Sequence, residues 1–331
     1  MTCRDRVLKA LAHEEADIVP YNIDLTDEAY KKLEAYLGDP GFYEKLGGHL
    51  AQERNESFTE LSDTLFCDMF GVVWSREQEG DFGIVKETVL TSPSLEEYAF
   101  PLPDEKSIRR KCERLQAQRD KFRMYIIGFS LYERAWTLRS IPDLLMDMIA
   151  EPNFVDELLE KIAAYNKAVV EIVAQYDIDC IFYGDDWGQQ KGLIMGPDKW
   201  RRFIRPSVKE LYAQARDKGF YVAQHSCGDI SELFGDLIDL GLDIYNTFQP
   251  EIYDIKKMKK LYGDHITFYG GVSTQQLLPF ATPEQVKAET RYLMNTLGRG
   301  GGYIVAPTHS IPNDVPVENI LAFAETVQNQ G

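Results

Sequence analysis

Five short apolar runs alternate with longer stretches of helical spacing through the second half of the chain, over residues 178–183, 220–224, 243–245, 266–269 and 303–306. The runs predict strands and the stretches between them predict helices. Parallel strands need a long crossover between them, which is usually a helix, so this alternation is typical of a parallel sheet built from βα units. The pattern constrains the fold more than any other feature of the sequence.

Local signals mark where the predicted helices begin. One helix is expected over about 197–218, and the next is expected to start near Asp229, with Glu232 three residues later as a capping box. Thr282 precedes a proline, a combination that predicts an N-cap followed by proline in the first helical turn. The last helix is expected to start near Pro316.

Three runs upstream bring the number of predicted strands to eight: 18–23, 64–67 and 124–129. Eight strands with helices between them predict a (β/α)8 TIM barrel, and we expect one domain over residues 1–331. A doubly wound open sheet is the alternative. No Gly-x-Gly-x-x-Gly follows any predicted strand, which counts against the dinucleotide-binding version of that alternative.

Residues 70–90 interrupt the barrel pattern. Apolar residues at 72–74 and 84–85 flank a segment rich in Glu and Gly at 77–83. Two short apolar runs around such a polar segment predict an antiparallel β-hairpin inserted in the barrel.

The chain is strongly acidic, with a formal net charge of −17 over 331 residues. Such a surface repels phosphate backbones and anionic lipids, so we expect neither a nucleic-acid nor a membrane partner. No apolar run approaches the length of a membrane-spanning helix, and the five cysteines follow no disulfide framework. These features favour a cytoplasmic protein.

Catalytic residues of TIM barrels lie just beyond the C-terminal ends of the strands. Nearly every predicted strand end in this chain carries a polar or titratable side chain, and the barrel's stability does not require them there. These side chains are Asn22, Asp24, Asp68, Glu133, Asp185, Asp186, His225, Cys227, Gln249, Ser273 and His309.

His225 and Cys227 lie two residues apart at the end of one strand, so both side chains can face the same metal ion. A third ligand has to come from another strand end, and His309 is the best candidate. Three protein ligands leave a fourth position open, which is typical of catalytic rather than structural zinc. The alternative is a hydrogen-bonded histidine beside a small buried cysteine.

The acidic residues have two interpretations each. Asp185 and Asp186 either supply a metal ligand and a general acid/base, or cap a loop through backbone N–H groups. Glu133 either takes part in catalysis or forms a local ion pair with Arg134 or Arg139.

Aromatic residues near the strand ends are also open to two interpretations. Phe129 and Trp187 either line an apolar pocket or pack in the core.

His13, His49 and His265 lie in charged or glycine-rich surroundings and are expected to be solvated.

Several motifs, in the same order along the chain, resemble those of the uroporphyrinogen decarboxylase superfamily in its cobalamin-dependent methyltransferase branch. The resemblance covers most of the chain and is strongest from residue 124 onward. His225-Ser226-Cys227-Gly228 is similar to the branch's His-x-Cys-Gly zinc motif. The other matching segments resemble the third-strand motif, the Gly-Gly turn of the seventh strand, and the final strand and helix: 128–138, 269–272, 306–309 and 316–320.

Two departures from the family pattern bear on function. The thiol-activating methyltransferases usually carry a cysteine where this chain has His309, so the resemblance implies His/Cys/His ligands or His/Cys with a carboxylate such as Glu133 or Asp186. The decarboxylases carry an arginine-bearing motif after the first strand. Here residues 21–28 contain no arginine and three acids, which would repel the eight carboxylates of uroporphyrinogen. Asp68 lies where the decarboxylases carry their catalytic aspartate.

The resemblance implies methyl transfer to or from the cobalt of a corrinoid. The chain lacks the Asp-x-His-x-x-Gly motif that ligates cobalt, so the corrinoid is expected on a separate protein. Zinc either activates a thiol acceptor or, the direction we favour, helps to activate a small methyl donor such as a methyl ether. Asp186, Glu133 and Asp68 are the predicted catalytic residues. The predicted substrate contacts are Asn22, Asp24, Phe129, Asp185, Trp187 and Gln249.

Two other functions stay open at this point. One is uroporphyrinogen decarboxylation, and the other is a non-catalytic barrel that binds a metal or a corrinoid. A homodimer is also consistent with the sequence.

Overall fold

The computed structural model describes residues 1–77 and 83–330. Thirteen strands are present in this part of the chain: β1 (Leu50–Arg54), β2 (Phe58–Glu60), β3 (Leu65–Asp68), β4 (Val73–Ser75), β5 (Ile84–Glu87), β6 (Phe122–Ile127), β7 (Cys180–Gly184), β8 (Gly188–Gln189), β9 (Gly192–Leu193), β10 (Tyr221–His225), β11 (Ile244–Phe248), β12 (Thr267–Val272) and β13 (Tyr303–Pro307).

Helices separate most of these strands, as the alternation predicts. They are α1 (Cys3–Leu11), α2 (Asp27–Leu37), α3 (Phe42–Leu46), α4 (Glu105–Ala117), α5 (Tyr132–Arg139), α6 (Ile141–Ala150), α7 (Pro152–Val173), α8 (Pro197–Lys199), α9 (Arg205–Asp217), α10 (Phe234–Asp239), α11 (Ile255–Tyr262), α12 (Leu277–Phe280), α13 (Pro283–Leu297) and α14 (Val317–Gln328). A π-helical turn, Trp200–Ile204, joins α8 to α9, and a 3₁₀ turn, Ser231–Leu233, precedes α10.

Seven strands form one parallel sheet in the order β1, β6, β7, β10, β11, β12, β13. Residues 20–26 join its two edges. The Asn22 N–H donates to the Val305 carbonyl on β13 at 3.0 Å, and the His49 N–H, next to β1, donates to the Tyr21 carbonyl at 2.9 Å. The sheet therefore curls into the predicted TIM-like barrel, and the doubly wound alternative is wrong.

Two layers of apolar side chains follow from the alternation of the strands. One set fills the barrel interior and includes Met124, Phe182 and Ile304. The opposite faces of the same strands, such as Tyr125 and Ile181, pack under the surrounding helices. Most of the parallel strands from residue 122 onward are buried on both faces, so they appear in the sequence as short continuous apolar runs.

Two strand predictions near the N-terminus need correction. The run at 64–67 is not a barrel strand, because β3 pairs antiparallel with β2 and β4. The second strand of the barrel is β1, whose sequence Leu-Ala-Gln-Glu-Arg contains no apolar run. The run at 18–23 forms a single parallel bridge, Tyr21 to Val305, rather than a full strand.

The predicted hairpin at 70–90 is confirmed in its strands and is larger than expected. β4 pairs antiparallel with β5, and both belong to a four-stranded sheet in the order β2, β3, β4, β5. Its predicted turn falls mostly on residues 78–82, which lie outside the described part of the chain.

One of the two predicted helix caps forms in the structure and the other does not. The Thr282 side chain accepts the N–H of Gln285 in a capping box at the start of α13, as predicted. The capping box at Asp229 and Glu232 does not form, because the Asp229 carboxylate accepts the Ser231 N–H and a 3₁₀ turn follows. None of the described helices is long and apolar enough to cross a bilayer.

His49 is buried, with 1% of its surface exposed, so the expectation that it is solvated is wrong. Its Nδ1 accepts the Tyr21 backbone N–H at 3.0 Å, at the seam where the barrel closes. Burial, together with the charge of Arg6, lowers the pKa of His49 to about 4.

This pKa predicts a loss of stability in acid. The unfolded chain takes up a proton on His49 near pH 6.5, whereas the folded chain resists protonation until about pH 4. Its contribution is therefore intact above pH 6.5 and falls by about 3 kcal/mol as the pH drops from 6.5 to 4. We expect urea unfolding of His49→Gln to lack this part of the pH dependence. His265→Gln, at an exposed position, is the control and should behave as the parent. Identical pH profiles for His49→Gln and the parent would contradict the prediction.

Candidate metal centre at the barrel mouth

A cavity of about 340 Å³ opens at the C-terminal ends of the barrel strands, and we call it the mouth cavity. This is the end of the barrel at which the sequence places the site. Six of the predicted site residues line it: Asp24, Phe129, Glu133, Asp186, His225 and His309.

Three potential metal ligands converge at one side of this cavity. His225 is the last residue of β10, Cys227 follows it by two residues, and Asp186 lies in the loop after β7. One ligand atom from each lies within 4.8 Å of the other two, and we call this group the His/Cys/Asp cluster. His225 Nε2 is 3.4 Å from Cys227 Sγ and 3.4 Å from Asp186 Oδ1.

Two glycines allow the loops after β7 and β10 to meet. A Cβ built on Gly188 would lie 2.7 Å from the Cys227 carbonyl oxygen, and one on Gly228 would lie 2.3 Å from the Gly188 carbonyl carbon. Gly228 also has a φ of +79°, which side chains disfavour. The close approach lets the Cys227 N–H donate to Asp186 Oδ1 at 2.7 Å, which fixes the carboxylate beside the thiol.

The two distances from His225 Nε2, to Cys227 Sγ and to Asp186 Oδ1, are those expected around a tetrahedral ion. Zinc bonds of about 2.0–2.1 Å to nitrogen or oxygen and 2.3 Å to sulfur, at tetrahedral angles, put neighbouring ligand atoms about 3.3–3.6 Å apart. Burial and the charges of Asp186 and Glu133 raise the pKa of the Cys227 thiol. A bound cation would offset this effect, because it favours the thiolate that metals bind.

Asn246 on β11 orients the histidine of the cluster. Its Oδ1 lies 2.5 Å from His225 Nδ1, and its Nδ2 donates to the Tyr269 carbonyl at 3.2 Å. The amide oxygen can only accept, so Nδ1 carries the proton and the lone pair of Nε2 faces Cys227 and Asp186. Sequence reasoning missed Asn246, because a neutral amide within a strand carries no motif.

Loss of this orienting bond should weaken metal binding. We expect Asn246→Leu to lower zinc affinity by about 10- to 100-fold, as is typical for partners of a ligating histidine. Asn246→Asp keeps the acceptor for His225 Nδ1 but loses the donor to the Tyr269 carbonyl, so its zinc affinity should lie between those of the parent and Asn246→Leu. Competition with a chromogenic chelator measures both variants. Equal affinities for Asn246→Leu and the parent would contradict the assignment.

His309 lies in the mouth cavity beside the His225 ring of the cluster. Its ring centroid is 6.1 Å from that of His225, with the two rings nearly perpendicular. It lines the mouth cavity, but it is not one of the residues whose ligand atoms converge. Asp186, the carboxylate alternative, is the third residue of the cluster, and His309 as a metal ligand stays a prediction.

Glu133 and Asp185 occupy different environments although both are acidic. Glu133 lines the mouth cavity, and burial together with the charges of Asp186 and Asp185 raises its pKa well above the usual value. Asp185 is fully buried and lies outside the cavity lining. Its carboxylate accepts the backbone N–H groups of Leu131, Tyr132 and Glu133 at 2.7–3.3 Å, so it caps the start of α5.

The Asp185 cap also fixes the start of the helix that carries Glu133. Burial raises the pKa of Asp185 to about 6, and the N–H groups it accepts oppose that rise. Trp187 Nε1 donates to the same carboxylate at 2.6 Å, and the Trp187 ring packs 5.2 Å from Trp200. Asp185 and Trp187 therefore position Glu133 through hydrogen bonds from outside the cavity lining.

A second polar group lies on another side of the cavity. The Asp24 carboxylate accepts hydrogen bonds from Asn22 Nδ2 at 2.8 Å and from Tyr269 Oη at 3.1 Å. Gln52 Nε2 donates to the Tyr269 hydroxyl at 3.3 Å. We call these four residues the Asp24 network. Asn22 is itself buried. Sequence reasoning missed Gln52 because this residue lies in β1, a strand without an apolar run.

Two more predicted positions, Phe129 and Gln249, have distinct surroundings. Phe129 lines the cavity with a φ of +48°, a conformation that is uncommon outside glycine and often found at functional sites. Gln249 is buried and accepts the Gly228 N–H at 2.9 Å, so it holds the turn after Cys227.

Asp68 is buried away from the cavity lining. Arg134 Nη1 donates to its carboxylate at 2.6 Å and Trp74 Nε1 at 3.1 Å. The backbone N–H groups of Phe70 and Val72 donate to the other oxygen. Each oxygen of the Asp68 carboxylate therefore accepts two hydrogen bonds from within the protein.

Comparison with known proteins agrees with this architecture. The family model for uroporphyrinogen decarboxylase (URO-D) matches residues 59–330. A uroporphyrinogen decarboxylase from Coxiella burnetii is 24% identical over 187 residues, which are 54% of this chain and 48% of that protein. A methylated-thiol–coenzyme M methyltransferase from Methanosarcina mazei is 24% identical over 170 residues, 51% of this chain and 42% of that protein.

The chain thus spans about half the length of the curated relatives it matches. Among solved structures, a methyltransferase from Methanosarcina mazei superposes with a TM-score of 0.70 at 18% identity. That match covers 100% of this chain and 99% of the other, and it establishes a common fold.

Proposed function

Because the chain belongs to the uroporphyrinogen decarboxylase family, we propose that it transfers a methyl group between a small molecule in the mouth cavity and the cobalt of a corrinoid carried by a separate protein. The observation that carries the proposal is the His/Cys/Asp cluster at the cavity wall, whose three ligand atoms lie within 4.8 Å of one another, close enough to bind one ion.

His225, Cys227 and Asp186 are the residues we assign to zinc. Zinc held there would supply Lewis-acid activation of the atom that carries the methyl group. Asn246 holds the His225 ring in the ligating tautomer, and Glu133, which lines the cavity next to Asp186, is the residue we assign to proton transfer. We favour demethylation of a donor as the direction.

Three observations disfavour the decarboxylase alternative. A cavity of about 340 Å³ is at the small end of the range for drug-sized ligands, whereas uroporphyrinogen is a tetrapyrrole with eight carboxylates. Asp24 lines the cavity and would repel those carboxylates. Asp68, at the position of the decarboxylases' catalytic aspartate, lies outside the cavity lining and is fully hydrogen-bonded.

The test is methyl transfer to cob(I)alamin, followed by the change in its visible spectrum. Zinc-loaded protein is mixed with a panel of methyl ethers and thioethers, with and without corrinoid proteins of the same organism. We expect methylcobalamin from at least one donor, dependent on zinc and abolished in Cys227→Ser. Cys67→Ser, on the antiparallel sheet, is the control and should stay active. Metal-independent release of CO₂ from uroporphyrinogen, with no methyl transfer, would contradict the proposal.

A further inference from the structure

The Asp24 carboxylate is a half-buried anion at the mouth cavity, and the hydrogen-bond donors that reach it from the described part of the chain are neutral. Within the described part of the chain, its donors are the Asn22 amide and the Tyr269 hydroxyl, and no lysine, arginine or histidine lies within salt-bridge distance. Each carboxylate oxygen receives one of these bonds and keeps further acceptor capacity. The carboxylate is therefore available to a ligand that donates hydrogen bonds.

The Asp24 network holds this carboxylate in a fixed orientation. Tyr269 is almost fully buried, and its hydroxyl donates to Asp24 while it accepts from Gln52. Asn22 is confined from the other side, because a Cβ on Gly48 would lie 2.7 Å from Asn22 Oδ1. A side chain so constrained is suited to recognition, since little conformational freedom is lost when a ligand binds.

The electrostatic environment favours a positively charged ligand. Burial raises the pKa of Asp24, and the field of Arg54, which also lines the cavity, only partly opposes that rise. An anion that is partly withdrawn from water and has no paired cation is destabilised, and a cationic ligand would offset that cost.

Aromatic side chains connect the Asp24 network to the His/Cys/Asp cluster. The Phe182 ring lies 6.4 Å from the Tyr269 ring and 6.5 Å from the His225 ring. Phe182 and Phe129 both line the cavity, and aromatic faces attract organic cations. The Phe182 ring thus lies between the Asp24 network and the His/Cys/Asp cluster. This separation suits a small molecule with a functional group at each end.

We propose that Asp24 binds a protonated amine at one end of the substrate, while the methyl-bearing atom at the other end lies against the His/Cys/Asp cluster. The substrate class is therefore a small methylated compound, such as a methyl ether, with a primary ammonium group. The inference rests on the proposed function only for the position of the methyl group.

The test uses three ligands of one shape and different charge, with metal-free protein in a calorimeter. They are 2-(3-methoxyphenyl)ethylamine, 2-(3-methoxyphenyl)ethanol and 3-methoxyphenylacetate. We expect the amine to bind about 10- to 100-fold more tightly than the alcohol, as for a charge-assisted hydrogen bond, and the acetate to bind least.

The matched variant is Asp24→Asn, which keeps the shape and removes the charge. It should lose the preference for the amine and bind the alcohol as the parent does. Asp27→Asn, on the exposed start of α2, is the control and should retain the preference. Thermal unfolding of each variant checks that it is folded.

Several results would overturn the proposal: parent protein that binds the alcohol or the acetate as well as the amine, no binding of the amine, or an unchanged preference in Asp24→Asn. The measurement needs neither zinc nor a corrinoid. Amine selectivity without methyl transfer would therefore overturn the proposed function alone, and methyl transfer without amine selectivity would overturn this inference alone.

Discussion

Asp186→Asn is expected to lower zinc affinity by more than about 100-fold, whereas His309→Ala should leave it nearly unchanged. The reason is geometric: Asp186 Oδ1 lies 3.4 Å from His225 Nε2, as tetrahedral ligands do, while His309 is not part of the converging set. Asparagine keeps an oxygen to accept the Cys227 N–H, so the loop should remain folded. Equilibrium dialysis followed by elemental analysis measures the effect.

The two variants also decide between the ligand sets that the sequence leaves open. Loss of zinc from Asp186→Asn alone supports the His/Cys/Asp cluster. Loss of zinc from His309→Ala, with Asp186→Asn unaffected, would contradict it and restore the His/Cys/His set. Asp185→Asn is unsuitable as a control, because Asp185 caps the start of α5.

Arg134→Met should destabilise the protein by about 3–5 kcal/mol. Arg134 and Asp68 form an ion pair at 2.6 Å with 3% of each side chain exposed. Removal of the guanidinium leaves the Asp68 carboxylate buried without a countercharge, which costs more than the pair itself contributes. The guanidinium also lies 4.2 Å above the Phe70 ring, so its loss removes packing as well.

Urea unfolding of three variants tests this prediction. Arg202→Met breaks the exposed pair with Asp156, whose side chains are 55% and 32% exposed, and should cost less than about 1 kcal/mol. The double variant Arg134→Met/Asp68→Asn should recover part of the loss, because no buried charge remains. A cost for Arg134→Met as small as that for Arg202→Met would show that the buried pair is not important for stability.

The barrel after residue 122 is predictable from the sequence because each strand is buried on both faces. Runs such as 178–183 and 303–306 contain apolar residues at consecutive positions, with little alternation between apolar and polar residues. β1 is different: its Leu50 is buried but its last residue, Arg54, is exposed, so its hydrophobicity is too weak to detect. The run at 64–67 predicts a barrel strand but pairs antiparallel, because periodicity does not distinguish parallel from antiparallel pairing.

The site is predictable as far as residue type and strand position identify it. His225, Cys227 and Asp186 follow two neighbouring strands, so the topology brings them together. The choice between Asp186 and His309 as third ligand depends on loop geometry at Gly188 and Gly228, which spacing does not encode. Residues that act through neutral hydrogen bonds have no sequence signature, and Asn246 and His49 were missed or misread for that reason.

X-ray absorption at the zinc edge tests the central claim, that zinc is bound through Cys227 at the His/Cys/Asp cluster, most directly. In freshly loaded protein we predict one sulfur neighbour at about 2.3 Å and the remaining nitrogen and oxygen neighbours at about 2.0–2.1 Å. In Cys227→Ser the sulfur neighbour should disappear, and in Cys67→Ser it should remain. A zinc ion with no sulfur neighbour in the parent protein, or a sulfur neighbour that persists in Cys227→Ser, would contradict the account.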